Sequence, residues 1–260
     1  MRKKLLIIIP AGVLALTAAT LGGLYAHYGL GWMISQFAAI DRTDMMRAES
    51  FTSTDGITLP YRIYVPEGTT AALPLVLYLH GAGERGDCNR AHTRKNSVMQ
   101  TLLNDENRVE FPAIVIAPQC PAGTSWQHLT AELMSLLEDV MAAYPVDAGR
   151  VYITGISMGG NGTWEMLAAY PNFFAAAVPI CGWGTPESAY RFSDVPIWVF
   201  HGARDRGILP EYSREMVQAL ENAGSNVRYT EYPRETHQAW EIAYREAELF
   251  PWMFAQTRTD

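Results

Sequence analysis

Cysteine is scarce in this chain, with three in 260 residues at Cys88, Cys120 and Cys181. Three thiols cannot all pair, which excludes a disulfide-stapled scaffold. One bridge stays open, with Cys88 and Cys120 the favoured pair, beside the reading of three packed thiols. Charge is also sparse, at 18% of residues, and unbalanced toward acid, with a formal net charge of -7. No lysine- or arginine-rich stripe lies beyond the N-terminus, so no general nucleic-acid partner is expected. Internal repeats and low-complexity tracts are absent. No H-E-x-x-H or similar spacing supports a metal site, and a His80, His201 and His237 set has no ligand pattern behind it. What is abundant is apolar: 48% of the residues are hydrophobic, enough for one well-buried core in a chain of this length.

The one long uncharged run follows Met1-Arg2-Lys3-Lys4 and extends from Leu5 to Ala26. A basic start followed by about 22 such residues reads as a secretory signal or a membrane anchor, and either exports the remainder. The length leans toward an anchor, whereas small residues around Thr17 to Thr20 permit cleavage and release. Residues 27–50 then read as a connector, weakly amphipathic through Trp32, Met33, Phe37, Met45 and Met46. The catalytic candidates all fall in 51–260.

That region alternates strand and helix patterns. Phe51 to Thr54 and Ile57 to Val65, turning at Asp55-Gly56, predict a hairpin. Leu75 to Leu79 and Ala113 to Ala117 are continuous apolar runs, as in strands buried on both faces. Ala131 to Tyr144 spaces Leu133, Leu136, Leu137, Val140 and Met141 at helical intervals. Shorter strands are expected over Phe174 to Ile180, Val195 to Phe200 and Val227 to Tyr232. Such alternation predicts an α/β protein with a mostly parallel sheet covered by helices on both faces.

The chemistry gathers at the ends of these strands. Val151 to Thr154 run into Gly155-Ile156-Ser157-Met158-Gly159, and Asn161 to Tyr170 then read as a helix. Strand, G-x-S-x-G turn and helix in that order hold a serine hydroxyl above the sheet, at amides that favour negative charge. The apolar strand through Leu79 ends at His80-Gly81-Ala82-Gly83-Glu84-Arg85-Gly86, a loop suited to donate one oxyanion amide beside that of Met158. Two later strands end at Asp205 and His237. Carboxyl ends of parallel strands converge on one crevice, so Ser157, Asp205 and His237 can meet. His237 would take the serine's proton and Asp205 would hold the imidazole in its working tautomer. His80 and His201 sit in H-G turns and read as loop-shaping side chains; His27, His92 and His128 have no partner pattern.

These stretches together resemble a known family. Tyr78 to Gly86, Ala117-Pro118-Gln119-Cys120-Pro121 with Trp126, Gly155 to Gly160, Val178 to Gly182, His201 to Asp205, and Ser213 through His237 with Trp240 are similar to the α/β-hydrolase carboxylesterases often labelled predicted peptidases, relatives of dienelactone hydrolase and of feruloyl and acetyl-xylan esterases. The resemblance covers roughly Phe51 to Phe254. It implies the α/β-hydrolase fold, Ser157 as nucleophile, Asp205 as acid, His237 as base, an oxyanion hole including the Ala82 and Met158 amides, and no cofactor. The chain departs from the pattern at Arg206-Gly207-Ile208-Leu209 and at Arg234-Glu235-Thr236, which affects the pocket's shape and not the trio.

About fifteen residues, Cys181 to Val195, stand where many esterases carry a cap, so a minimal cap and an open site are expected. An open site suits short-chain, aryl or polymer side-chain esters. Trp126, Trp183 and Trp240, with Tyr190, are candidates for an aromatic substrate platform or for packing near the site. A serine peptidase using the same trio is the alternative chemistry. A non-catalytic, membrane-tethered binding protein on the same fold is the alternative of another class.

Overall fold

The computed structural model describes residues 41–258 except 69, 95 and 96. The expectations for residues 1–26, and for Trp32, Met33 and Phe37 in the connector, lie outside the described residues. Eight strands form one sheet: β1 (Arg47–Thr52), β2 (Thr58–Tyr64), β3 (Leu73–Leu79), β4 (Ile114–Pro118), β5 (Val146–Ile156), β6 (Ala176–Ile180), β7 (Trp198–Gly202) and β8 (Arg228–Tyr232). Their order is β1-β2-β4-β3-β5-β6-β7-β8. β2 is antiparallel to β1 and β4, and from β4 to β8 every pairing is parallel. The helices are α1 (Ser97–Leu102), α2 (Asp105–Glu110), α3 (Thr130–Ala143), α4 (Met158–Ala169), α5 (Glu211–Asn222), α6 (Trp240–Ala243) and α7 (Leu249–Phe254).

The continuous apolar run of β3 is explained by two covered faces. Leu73, Leu75, Leu77 and Leu79 join the core layer that holds α3 and α4 residues such as Leu137 and Leu167. Val76 and Tyr78, pointing the other way, join the layer of Met99, Phe250 and Met253. The hairpin turn forms at Gly56, whose φ of 80° suits glycine. β1 begins at Arg47, inside the stretch read as connector, because Arg47 and Ala48 pair with Ile63 and Arg62 across that turn. The link from β6 to β7 carries one 3₁₀ segment, Pro186–Phe192, which seats Phe192 against Trp164 of α4. It stays short, as expected of a minimal cap.

All three cysteines are free thiols. The Cys88–Cys120 bridge therefore does not form. Cys120 is buried with its thiol 3.7 Å from the Pro121 carbonyl oxygen, whereas Cys88 is exposed and packs against Gln119.

Candidate active site

The sheet order sets the geometry. β5 carries Ser157 at its carboxyl end, with β3 on one side and β6, β7 and β8 in sequence on the other. The loop after β3 therefore flanks the serine on one side. The loops after β7 and β8 bring Asp205 and His237 from the other.

Ser157 occupies the turn between β5 and α4 with φ 55° and ψ -115°, a conformation that L-residues rarely adopt. Its amide donates to the Ile180 carbonyl at 2.9 Å and its carbonyl accepts from Asn161 at 3.0 Å, which lock the turn from both sides. Two glycines make the approach feasible. A Cβ on Gly159 would lie 1.9 Å from the Leu79 carbonyl oxygen, and one on Gly155 would lie 2.2 Å from that of Gly159. Backbone, not a movable side chain, fills that space.

The hydroxyl of Ser157 is 2.9 Å from His237 Nε2, and His237 Nδ1 is 2.6 Å from Asp205 Oδ2. A carboxylate can only accept, so Nδ1 bears the hydrogen and Nε2 is the acceptor for the serine hydroxyl. Asp205 is 3% exposed. Its Oδ1 accepts from the amides of Gly207 and Ile208 at 2.8 and 3.0 Å, and its Oδ2 accepts a second imidazole N–H, that of His201, at 3.2 Å. Burial alone would raise its pKa, but hydrogen bonds from His201, His237 and the Ile208 amide, with the His237 charge, hold it well below the usual carboxylate range. Trp240 sets its ring edge-on to His237 at 5.1 Å. The departure at Arg206 to Leu209 leaves this clasp intact because Asp205 is held by backbone amides, which do not depend on the side chains there.

On the other flank, the position of a Gly81 Cβ lies 3.7 Å from Ser157 Cβ, so the Gly81-Ala82 backbone runs beside the hydroxyl. Met158 opens α4 directly after Ser157, where helix amides lack intrahelical acceptors. His80 shapes the loop as expected. Its Nε2 accepts the Cys120 amide at 2.9 Å, so Nδ1 carries the hydrogen and donates to the Gly81 carbonyl at 2.6 Å. Burial pushes its pKa down to about 3. His92 is likewise buried and bonded to the Ala117 carbonyl, and desolvation lowers it to about 4.

A cleft of about 480 Å³ opens above Ser157 and His237, walled by Ala82, Glu84, Arg94, Gln238, Trp240 and Glu241. Burial pushes both Glu84 and Glu241 up to about 7, which the sequence did not signal. A larger groove of about 690 Å³, around Pro171, Phe192, Asp194 and Arg258, lies at the opposite end of the strands and is lined by no serine, cysteine or histidine.

The aromatic platform divides. Trp240 lines the cleft; Trp126 does not. Trp126 is fully buried, donates its indole N–H to the His80 carbonyl at 2.9 Å and fills the space a Cβ on Gly162 of α4 would take, 2.5 Å away. It supports the loop from below and cannot touch a substrate. Trp183 and Tyr190 are not among the residues lining this cleft. His201 does more than shape its loop: fully buried, it bonds the Ile208 carbonyl and also Asp205 directly. The H-x-x-x-D spacing within His201 to Asp205 was the available signal. His80, His201 and His237 form no common ligand set among the described residues; the group with suitably close donor atoms is Cys181, His201 and Asp205, within 4.8 Å. Its histidine and carboxylate are already bonded to each other.

The chain is similar to known proteins over most of the described residues. Residues 59–196, more than half of the chain, match the Esterase PHB depolymerase family. A bifunctional acetylxylan esterase/xylanase of Neocallimastix patriciarum is 26% identical over 193 residues, 68% of this chain and 27% of that protein. Poly(3-hydroxyalkanoate) depolymerase C of Paucimonas lemoignei is 24% identical over 61% of this chain and 47% of its own. The chain thus spans between about a quarter and a half of these curated relatives. Among solved structures, a thermostable esterase superposes with a TM-score of 0.79 at 35% identity, covering 83% of this chain and 64% of that one. The feruloyl esterase module of Clostridium thermocellum shares the fold at a TM-score of 0.68 and 16% identity, over 86% of this chain and 97% of the module. By that match and these superpositions the chain has the α/β-hydrolase fold and belongs to the Esterase PHB depolymerase family.

Proposed function

We propose that the protein is a serine hydrolase that cleaves carboxylic esters through an acyl-enzyme. The observation that carries this is the unbroken chain from Ser157 through His237 to Asp205, at 2.9 and 2.6 Å, opening on the cleft. In this reading His237 Nε2 takes the proton as Ser157 Oγ attacks the ester carbonyl carbon. The tetrahedral oxyanion faces the amides of Ala82 and Met158. Collapse breaks the bond to the alkoxy oxygen, which leaves as the alcohol with the proton from His237. Water, deprotonated by the same nitrogen, then hydrolyses the acyl-serine and restores the enzyme. Asp205 keeps its negative charge throughout and stabilises the imidazolium.

The substrate class we infer is short-chain, aryl or polymer side-chain esters. An open cleft and a short β6–β7 link that does not wall it support this class, as do relatives named for acetylxylan and poly(3-hydroxyalkanoate). Trp240 is the aromatic group placed to contact such a substrate; Trp183 is assigned no role. Residues 1–26 act in this proposal as a signal or anchor, 27–50 as a connector, and 51–260 as the catalytic part, exported from the cytoplasm. A secreted relative from Arthroderma benhamiae, 25% identical over 208 residues, supports export. No helix among the described residues is long and apolar enough to cross a membrane.

The test is labelling with a fluorophosphonate probe and location of the adduct by peptide mass. Adduct at Ser157, lost in His237→Ala, is the expected result, together with turnover of short aryl esters and none of the matching amides. Turnover of amides would move the peptidase chemistry forward. No adduct in folded protein would leave the binding-protein reading standing.

A further inference from the structure

Asp205 serves two histidines, and the second has no part in the mechanism above. His201, at the end of β7, is fully buried. Its Nε2 lies 3.2 Å from Asp205 Oδ2 and 3.0 Å from the Ile208 carbonyl oxygen, and its Nδ1 lies 2.7 Å from the Ser213 hydroxyl. Both neighbours of Nε2 accept, so the hydrogen must sit there. Nδ1 is then an acceptor, and Ser213, itself buried in the first turn of α5, donates its O–H to it. The carboxylate and the Ile208 carbonyl therefore fix the tautomer of a ring that donates to the same oxygen as His237 does, and Ser213 completes its bonding on the far side.

We propose that His201, its tautomer fixed by Asp205 and the Ile208 carbonyl and its ring braced by Ser213, is a positioning residue that shares Asp205 Oδ2 with His237 and weakens that carboxylate's attraction for the protonated His237 ring. The proposal rests on the reading of Ser157, His237 and Asp205 as the reacting trio. The physical reason is charge sharing. A carboxylate stabilised by four N–H donors, two amides and two imidazoles, attracts the imidazolium of His237 less than one with three. A base that binds its proton less tightly stays available to lower pH and returns the proton to the leaving alcohol more readily. The second donor also fixes the carboxylate's rotation, and so the direction in which the His237 ring points. Glu84, Glu241 and Arg94 line the cleft beside His237 in the wild type and in both variants alike, so their effect cancels in the comparison. Cys181, on the β6 side of Asp205, has a thiol that burial holds in the neutral form. Glu231 on β8 is taken up by Arg214 and Tyr229.

The experiment compares the full-length protein with its His201→Leu and His201→Gln variants, with histidine nitrogens isotopically labelled. The midpoint of His237 titration is read by NMR, and kcat and KM on a short aryl ester are read against pH. His201→Leu keeps an apolar side chain of similar size there and removes the N–H that Asp205 Oδ2 accepts. The His237 midpoint and the acid limb of kcat/KM are then expected to rise together by roughly half a pH unit, about half the effect of one charge-assisted hydrogen bond. kcat falls by about 5- to 10-fold with KM unchanged. His201→Gln retains an N–H donor toward Asp205 and is expected to keep the wild-type midpoint. A midpoint unmoved in His201→Leu, or moved equally in both variants, overturns the proposal, whatever happens to the melting temperature. The NMR midpoint does not depend on turnover. If it moves while no ester is hydrolysed, the positioning role stands and the ester reading falls; if esters are hydrolysed and it stays, the reverse holds.

Discussion

Ser157 stores backbone strain for its position. Its φ of 55° and ψ of -115° suit glycine, and holding another residue there costs of order 1–3 kcal/mol. Glycine in exchange adds about 0.5–1 kcal/mol of unfolded-chain entropy. Ser157→Gly and Ser157→Ala both lack the hydroxyl and are both expected to be inactive. Urea denaturation should nevertheless find Ser157→Gly more stable than Ser157→Ala by roughly 1 kcal/mol. Asp205→Asn tests the tautomer argument at the next residue. Gly207 and Ile208 donate to Oδ1, so the asparagine must keep its oxygen there and turn its NH₂ to His237. His237 Nδ1 then accepts, Nε2–H faces Ser157, and the base is lost. kcat on an aryl ester should fall by about 10⁴-fold with KM nearly unchanged.

The loop after β3 and the helix after β5 act as one unit through Trp126. The indole fixes the His80 carbonyl, while His80 ties the loop to Gly81 and Cys120. Trp126→Phe keeps most of the volume and removes the donor. Calorimetry and kinetics should show a loss of roughly 2 kcal/mol of stability without a rise in KM for a soluble ester, since the ring never meets substrate. A rise in KM with stability intact would return Trp126 to the binding surface. This side chain also shows where pattern reading fell short. Tryptophan after a turn near a glycine loop has the composition of a binding platform, and nothing local tells that Gly162 of α4 leaves a hole of its shape.

Across the molecule, four buried groups set opposing pH dependences. His80 and His92 are lowered from 6.5 to about 3 and about 4, so the unfolded chain binds more protons between those values and 6.5. Their contribution is full above pH 6.5 and is lost as pH falls toward 3. Glu84 and Glu241 are raised from 4.5 to about 7, so the folded chain binds more protons in that window. Their contribution is full below 4.5 and is lost as pH rises to about 7. Two groups of each sign overlap between 4.5 and 6.5 and largely cancel. Below 4.5 the histidines remain, joined by the depressed carboxyls of Asp205, Asp41, Asp147 and Glu231, all losing stability as pH falls. Denaturation midpoints are expected to be nearly flat from pH 4.5 to 6.5 and to drop steeply below. Glu241→Gln removes one opposing group, so its midpoints should climb from pH 4.5 to 6.5 and exceed wild type at pH 8.

The order of strands and helices, the serine turn and the strand ends bearing Asp205 and His237 were legible from residue pattern because each is a local matter. Buried strands are apolar without a break, a tight turn under a helix needs its glycines, and the carboxyl ends of parallel strands share one edge. The oxyanion-loop shaping by His80 followed from the same logic. What required the folded chain was every feature made by residues distant in sequence and lacking a local mark. Trp126 went into the core because α4 offered it a glycine, Cys88 and Cys120 stayed apart because one is exposed and the other buried, and Glu84 and Glu241 became titratable near neutrality through burial. His201 gained its second partner, at Nδ1, only when α5 brought Ser213 to its far side. Local backbone preference and apolar period act over a few residues and can be read in order; desolvation and pairing depend on which surfaces meet, and that is settled only by the sheet order and the packing of helices upon it.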